Sequence, residues 1–217
     1  ARFISLFSGK ETQETIEVLD KVSMGAAAGE ILGIIGKNGS GKSTLLRVIA
    51  GIYPVTSGRI QTQGKIISLI NLHLGTNPQL IMQDNIYFIA SFFGLGRKET
   101  KKRFDQIIAF AGLEEFVHAK IYQFSEGMKQ RLIFSLAVHC DPEILLLDEV
   151  FEVGDQEFKI KSAQRIKESV REGATVLLVS HNLDLVEKYC DRVIWMEKGR
   201  LRAQGAAKDV VKEYAAA

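Results

Sequence analysis

Residues 36–44 read GKNGSGKST, with Gly36, Gly41, Lys42 and Ser43 at the spacing G-x-x-x-x-G-K-[ST]. Just before them, Glu30–Ile35 (EILGII) is a short apolar run with the length of a buried strand. Just after, Lys42–Ala50 reads as a helix that stops at Gly51. A strand, a glycine-rich turn and a helix start form the context in which this pattern cradles phosphate. The glycines let backbone N–H groups of Lys37, Asn38, Gly39, Ser40 and Gly41 close around phosphate oxygens. The helix start adds its positive dipole end. Lys42 is placed to reach the β- and γ-phosphates, Ser43 to hold Mg²⁺ through its hydroxyl, and Thr44 completes the motif. A random chain this long carries the pattern on the order of 1% of the time, so nucleotide binding is expected over a chance glycine turn.

Outward from this stretch, strands and helices alternate. Gly58–Ile70 holds short runs around a Gln-Gly-Lys turn and reads as strands. Gln83–Phe93 reads as a helix. Phe104, Ile107, Ile108 and Ala111 fall at i, i+3, i+4 and i+7, which marks an amphipathic helix ending at Gly112. Glu126–His139 is helical, Glu143–Leu147 is an apolar strand, and Asp155–Val170 is helical again. Ala174–Val179 is a further buried strand, followed by a helix from Asn182. Arg192–Met196 and Arg200–Ala203 flank a Glu-Lys-Gly turn as a hairpin, and Ala207–Tyr214 closes as a helix. Apolar strands without alternation, spaced by helices, argue for an α/β fold with a parallel sheet covered on both faces. The mostly helical segment from about 71 to 120 interrupts that rhythm and is expected to form a lobe beside the sheet.

The totals exclude several classes. The chain has 217 residues, 46% apolar and 25% charged, with a net charge of +2. A field that weak gives no reason to expect nucleic acid as a partner. The two cysteines, Cys140 and Cys190, form neither a metal spacing nor a disulfide framework, which fits a reduced cytosolic protein. No apolar run reaches the 18 or so residues of a membrane span. The first residues, ARFISLF, have no signal-peptide pattern and read as a chain starting partway into a strand; Ala215–Ala217 read as a remnant.

Two further strand ends carry chemistry. ILLLDEV (Ile144–Val150) finishes in two acids, and open α/β sheets hold ligands at the carboxyl ends of their strands. Asp148 there can hold Mg²⁺, and Glu149 can take a proton from an attacking water. Alone, such acids are more often a solvated strand end; beside a phosphate cradle the metal and base roles are preferred. His181 ends VLLVSH and can hydrogen-bond a γ-phosphate or the water, or be a surface residue. His73, His118 and His139 have no partner spacing and are left structural. QFSEGMKQRL (Gln123–Leu132) places Ser125 where an N-cap belongs, yet puts Gly127 two residues later, where glycine weakens a helix start.

GKNGSGKST, FSEGM, ILLLDE and SH occur in that order, with Ser125 23 residues before Asp148. This combination resembles the nucleotide-binding subunit of ATP-binding-cassette (ABC) transporters, over essentially the whole chain. The resemblance implies a P-loop NTPase with a mainly parallel core sheet, an antiparallel β subdomain and a helical lobe. It implies one ABC ATPase domain over residues 1–217, with the core at about 1–70 and 141–217 and the lobe at about 71–140. It also implies ATP and Mg²⁺ as cofactors and hydrolysis as the activity. Glu149 corresponds to the general base and His181 to the switch histidine. Ser125, Gly127 and Met128 belong to a signature loop that meets ATP held by a second copy, in a head-to-tail dimer with two ATP molecules between the subunits. Asp155, in EVFEVGD, corresponds to an aspartate at the dimer interface. Separate transmembrane subunits are implied as partners, and the cytoplasmic face of the membrane as the location.

Departures from the usual pattern narrow the branch. Phe-Ser-Glu-Gly-Met stands where Leu-Ser-Gly-Gly-Gln is usual, and Val-Gly-Asp where Leu-Asp is usual. The Ser-x-Gly-Met form with DEVFEVGD resembles the branch that exports cell-surface polysaccharides of O-antigen, capsule or teichoic-acid type. An importer ATPase is the alternative, and a soluble cassette acting on DNA or ribosomes ranks behind both. A glutamine usual on the loop into the helical lobe would fall near Asn71–His73, where none stands; Gln79 and Gln83 are displaced. Phe3 is the expected adenine-stacking aromatic, with Phe7 as runner-up. The chain ends at DVVKEYAAA, so a glycan-binding domain that some relatives append is expected to be naturally absent or cut off.

Overall fold

The computed structural model describes residues 17–70, 75–150 and 154–217. In chain order its regular elements are β1 (Ile31–Ile35), α1 (Lys42–Ile49), β2 (Ile66–Leu69), α2 (Met82–Phe92), α3 (Arg97–Ala111), α4 (Glu126–Val138), β3 (Ile144–Asp148), α5 (Gln156–Arg171), β4 (Thr175–Val179), α6 (Leu183–Tyr189), β5 (Arg192–Glu197), β6 (Arg200–Ala206) and α7 (Ala207–Ala215). Strands form one sheet in the order β2-β3-β4-β1-β5-β6. The ladders from β2 to β5 are parallel, and among the described strands only β6 runs antiparallel, beside β5.

Strand parity explains why these apolar runs do not alternate. Successive side chains point to opposite faces, and both faces are covered. Ile31 and Ile35 of β1 enter the core shared with α2 to α7, whereas Leu32 and Ile34 enter the core shared with Leu45 and Leu46 of α1. Gly33 lies between them on the α6 side, where a Cβ would come within 2.9 Å of Cys190 Sγ and 3.0 Å of Val193 Cγ2. That close approach of α6 to β1 requires the glycine.

Helices α2, α3 and α4 pack through Met82, Ile86, Ile89, Ile107, Ala111, Leu132 and Phe134, in one core continuous with β1, β3 and β4. The predicted α3 periodicity is observed, and Gly112 ends it in the left-handed region at φ 63. One polar residue sits in the buried stripe of α2. Asn85 is fully buried; its Nδ2 donates to the carbonyls of Asn77, Leu80 and Ile81, and its Oδ1 accepts the Asn77 N–H at 2.7 Å. Each of its hydrogen-bonding groups is thus spent on pinning the 77–81 loop onto α2.

Gly58–Ile70 departs from expectation. Only Ile66–Leu69 is a strand; residues 58–64 are exposed and carry no ladder among the described residues. A strand is defined by cross-strand hydrogen bonds, which an alternating composition does not by itself supply. The antiparallel ladder among the described residues is the β5–β6 hairpin, beside an isolated antiparallel bridge between Ile81 and Lys120. Phe3, Phe7, Asn71 and His73 lie outside the described residues.

Candidate functional site

β3, β4 and β1 are parallel neighbours, so their carboxyl ends open on one edge of the sheet. That edge gathers the phosphate loop from β1, Asp148 and Glu149 from β3, and His181 two residues beyond β4. In the loop, Gly36, Gly39 and Gly41 have φ of 149, 76 and 102. The last two are left-handed positions that favour glycine, and the first leaves no space for a Cβ against the Met196 carbonyl oxygen. Gly41 caps α1 without any side-chain hydrogen bond, and no acid occupies the first turn. Among the described residues no internal acceptor therefore competes for the N–H groups at the start of α1, which suits an anion.

Lys37, Asn38 and Gly39 are exposed at the tip, Ser40 and Gly41 are buried, and Ser43 and Thr44 are half-buried on the first turn. Lys42 is buried, and its Nζ donates to the Gly36 carbonyl at 2.7 Å and the Lys37 carbonyl at 3.0 Å. Burial lowers its pKa, while the charges of Glu149 and Asp148 raise it. Both carboxylates therefore lie close enough to sense the ammonium.

Asp148 and Glu149 are neighbours with different surroundings. Asp148 closes the β3 ladder opposite Val179. Its pKa is raised by burial, against a hydrogen bond from Ser43, with the Glu149 charge raising it further. Its Oδ1 is buried without a protein partner among the described residues. A buried carboxylate oxygen with an open lone pair, tied to the motif hydroxyl, fits a divalent cation held between Ser43 and Asp148.

Glu149 leaves the strand. Its φ of 59 is left-handed for a residue with a full side chain, a strain of about 1–3 kcal/mol. A hydrogen bond from its N–H to the Val179 carbonyl at 3.0 Å holds the turn. The turn sends its side chain to His181, whose Nε2 lies 3.0 Å from Glu149 Oε1. Both side chains remain about half exposed. The arrangement is a carboxylate steered by an imidazole N–H and open to water, which suits proton abstraction from a water molecule.

The remaining candidates are elsewhere. Ser125 caps α4, accepting the Met128 N–H through Oγ at 3.2 Å. Its own O–H donates to no acceptor among the described residues. Met128 is half-buried against the core, and a Cβ at Gly127 would meet nothing within 4 Å. Asp155 caps α5, its Oδ1 accepting the Phe158 N–H at 2.9 Å. Among the described residues, no hydrogen bond or ion pair joins Ser125, Gly127 or Asp155 to the phosphate loop, Asp148 or Glu149. Gln79 sits exposed in the loop pinned by Asn85, and its N–H donates to Asn77 Oδ1 at 3.0 Å.

Asn85 was not singled out from the sequence. The available signal was a polar residue inside the apolar stripe of Met82, Ile86 and Ile89.

Comparison with known proteins gives a consistent picture. The family model described as ABC transporter matches residues 19–152. The O-antigen export system ATP-binding protein RfbB of Klebsiella pneumoniae is 42% identical over 90% of this chain and 80% of its own length. The teichoic acids export ATP-binding protein TagH of Enterococcus faecalis is 42% identical over 93% of this chain, but over 45% of its own length. The chain thus spans most of one relative and about half of another. Among solved structures, an ATP-binding subunit of an ABC transporter superposes with a TM-score of 0.81 at 26% identity, over 91% of this chain and 87% of that one. A dimeric ATP-binding cassette in a post-hydrolysis state, bound to ADP and Pi, superposes with a TM-score of 0.78 at 25% identity, over 92% of this chain and 94% of that one.

Proposed function

The chain belongs to the ABC transporter family, and from that premise we propose that it is the ATP-hydrolysing subunit of an exporter of lipid-linked cell-surface polysaccharide. Convergence of the phosphate loop, Asp148 and the Glu149–His181 pair on one sheet edge carries the ATPase reading. The likeness to O-antigen and teichoic-acid export proteins over nearly the whole chain supports the branch.

In this reading the open N–H groups of α1 and the Lys42 ammonium hold the β- and γ-phosphates. A Mg²⁺ ion between Ser43 and Asp148 would neutralise the phosphate charge there. Glu149 orients a water molecule and takes its proton, and His181 keeps the carboxylate aimed. Ser125 and Gly127 complete the site on a second copy. The Ser125 O–H still has a proton to donate, and the space at Gly127 lets phosphate oxygens approach the first N–H groups of α4. Two-fold pairing lets each copy complete the other's site.

No described helix is long and apolar enough to cross a membrane. The partner in this reading is a separate membrane subunit, since export needs a path through the membrane. Its docking face is taken to be α2, where Phe88 and Phe92 are 43% and 66% exposed, with rings edge-to-face at 4.8 Å. An aromatic pair open to solvent is a cost to a monomer and an anchor for a partner. Changing both to alanine should abolish co-purification with the membrane subunit while ATP binding by the isolated chain is retained. Undiminished co-purification would remove α2 from the interface.

The function itself is tested in cells depleted of this chain. Surface polysaccharide should fall and lipid-linked polysaccharide should accumulate inside. The wild-type chain should restore display and Lys42→Ala should not. Loss of uptake of a solute, with surface polysaccharide intact, would assign the chain to an importer.

A further inference from the structure

The turn between β5 and β6 takes no part in the chemistry above, yet it touches the phosphate loop. Its two central residues, Lys198 and Gly199, have φ of 47 and 78. Two successive positive values are the geometry of a tight type I′ hairpin. The hairpin is stiffened behind its tip. Glu197 and Arg202 pair at 2.9 Å, and the Arg202 guanidinium lies 4.1 Å from the Trp195 ring centroid.

The tip is knitted into two other segments. Gly199 N–H donates to the Ser40 carbonyl at 3.0 Å, and the Gly199 carbonyl accepts the Asp20 N–H at 2.8 Å. Arg200 Nε donates to Asp20 Oδ2 at 2.7 Å, and its Nη2 reaches the same oxygen. The fit leaves no room for side chains. A Cβ at Gly36 would strike the Met196 carbonyl oxygen, and one at Gly199 would strike that of Val18. One at Gly41 would come within 2.9 Å of Leu19 Cδ2. The phosphate loop, the hairpin tip and residues 18–20 thus interlock along the outer edge of the loop.

A cradle whose N–H groups face a phosphate must turn carbonyls the other way, and those carbonyls need donors outside. Gly199 supplies the donor for Ser40. We propose that the Lys198–Gly199–Arg200 turn is a positioning element of the nucleotide site, presetting the phosphate loop so that a nucleotide binds with little ordering cost. Arg200 and Asp20 lock the turn in place, and neither touches the nucleotide. The proposal rests on the ATP reading above.

The test uses the full chain, with a fluorescent ATP analogue and unlabelled ADP as competitor. Gly199→Ala should weaken both nucleotides about tenfold, the scale of a small misplacement of binding groups. Arg200→Ala should weaken both about threefold, as the loss of one exposed ion pair allows; Arg200→Lys should recover most of that. In both variants turnover at saturating ATP should stay within about twofold, because the lost interaction is shared by ground and transition states. Unchanged affinity with a lowered melting temperature would make the turn merely structural and overturn the proposal. Reduced turnover with intact affinity would overturn it as well. If Gly199→Ala does not fold, Arg200→Ala decides alone, since it leaves the turn's φ values untouched. Failure of the wild-type chain to bind the analogue would instead strike at the ATP reading.

Discussion

Glu149→Gln should lower ATP turnover at least about 100-fold, the usual share of a positioned general base, while ATP still binds. Glutamine is nearly isosteric and can still accept the His181 N–H now 3.0 Å away, so the geometry of the strand end should survive. Only basicity is removed. With hydrolysis blocked and ATP bound, the dimer should persist, visible as an ATP-dependent doubling of mass on size exclusion. Wild-type turnover in the variant would remove Glu149 as the base. Loss of ATP binding would mean that the residue supports the site's shape instead.

Ser125→Arg should be nearly as damaging, for a different reason. Losing a donor aimed at developing charge costs on the order of 100-fold in rate, and in the proposed dimer arginine would also fill the space a partner's phosphate takes. The isolated chain should bind ATP with unchanged affinity, because no hydrogen bond or ion pair among the described residues links Ser125 to its own phosphate loop. A collapse of that affinity would place Ser125 in its own site and sink the trans assignment. Gly127→Ala separates function from folding. A Cβ there meets nothing within 4 Å, so the change should stabilise α4 by about 0.5–1 kcal/mol. Turnover should nevertheless fall. A more stable and equally active variant would leave the glycine unexplained.

Much of this was legible because the decisive features are local. GKNGSGKST implies a strand before it and a helix after it, and both are observed as β1 and α1. ILLLDE and VLLVSH each put polar residues on the end of an apolar run. Parallel strands bring such ends to one edge, so the convergence followed from topology alone. Illegible features depend on partners distant in sequence. Residues 58–64 have strand-like composition but no ladder among the described residues. The direction of the Glu149 side chain depends on one backbone angle, which composition does not encode. The Lys-Gly turn was readable as a hairpin, but its grip on Ser40, some 160 residues earlier in the chain, was not. Asp155 was read for its place in EVFEVGD; its cap on α5 is an ordinary helix-start duty that the same side chain performs in the monomer. The roles proposed for Ser125 and Gly127 need a second molecule, which no single chain displays.

The end of β3 has one more implication. Asp148 is the last residue on the ladder and Glu149 the first off it, so one carboxylate is kept dry and the next is left wet. A slip of one position along β4 would exchange their environments, giving the cation the wrong acid and the water no base. The end of the apolar run resists such a slip: Leu145, Leu146 and Leu147 are all fully buried, none contacts substrate in this reading, and a shift would draw the Asp148 carboxylate in among them or push a leucine out. The apolar run is therefore the alignment gauge of the reaction as well as part of the core.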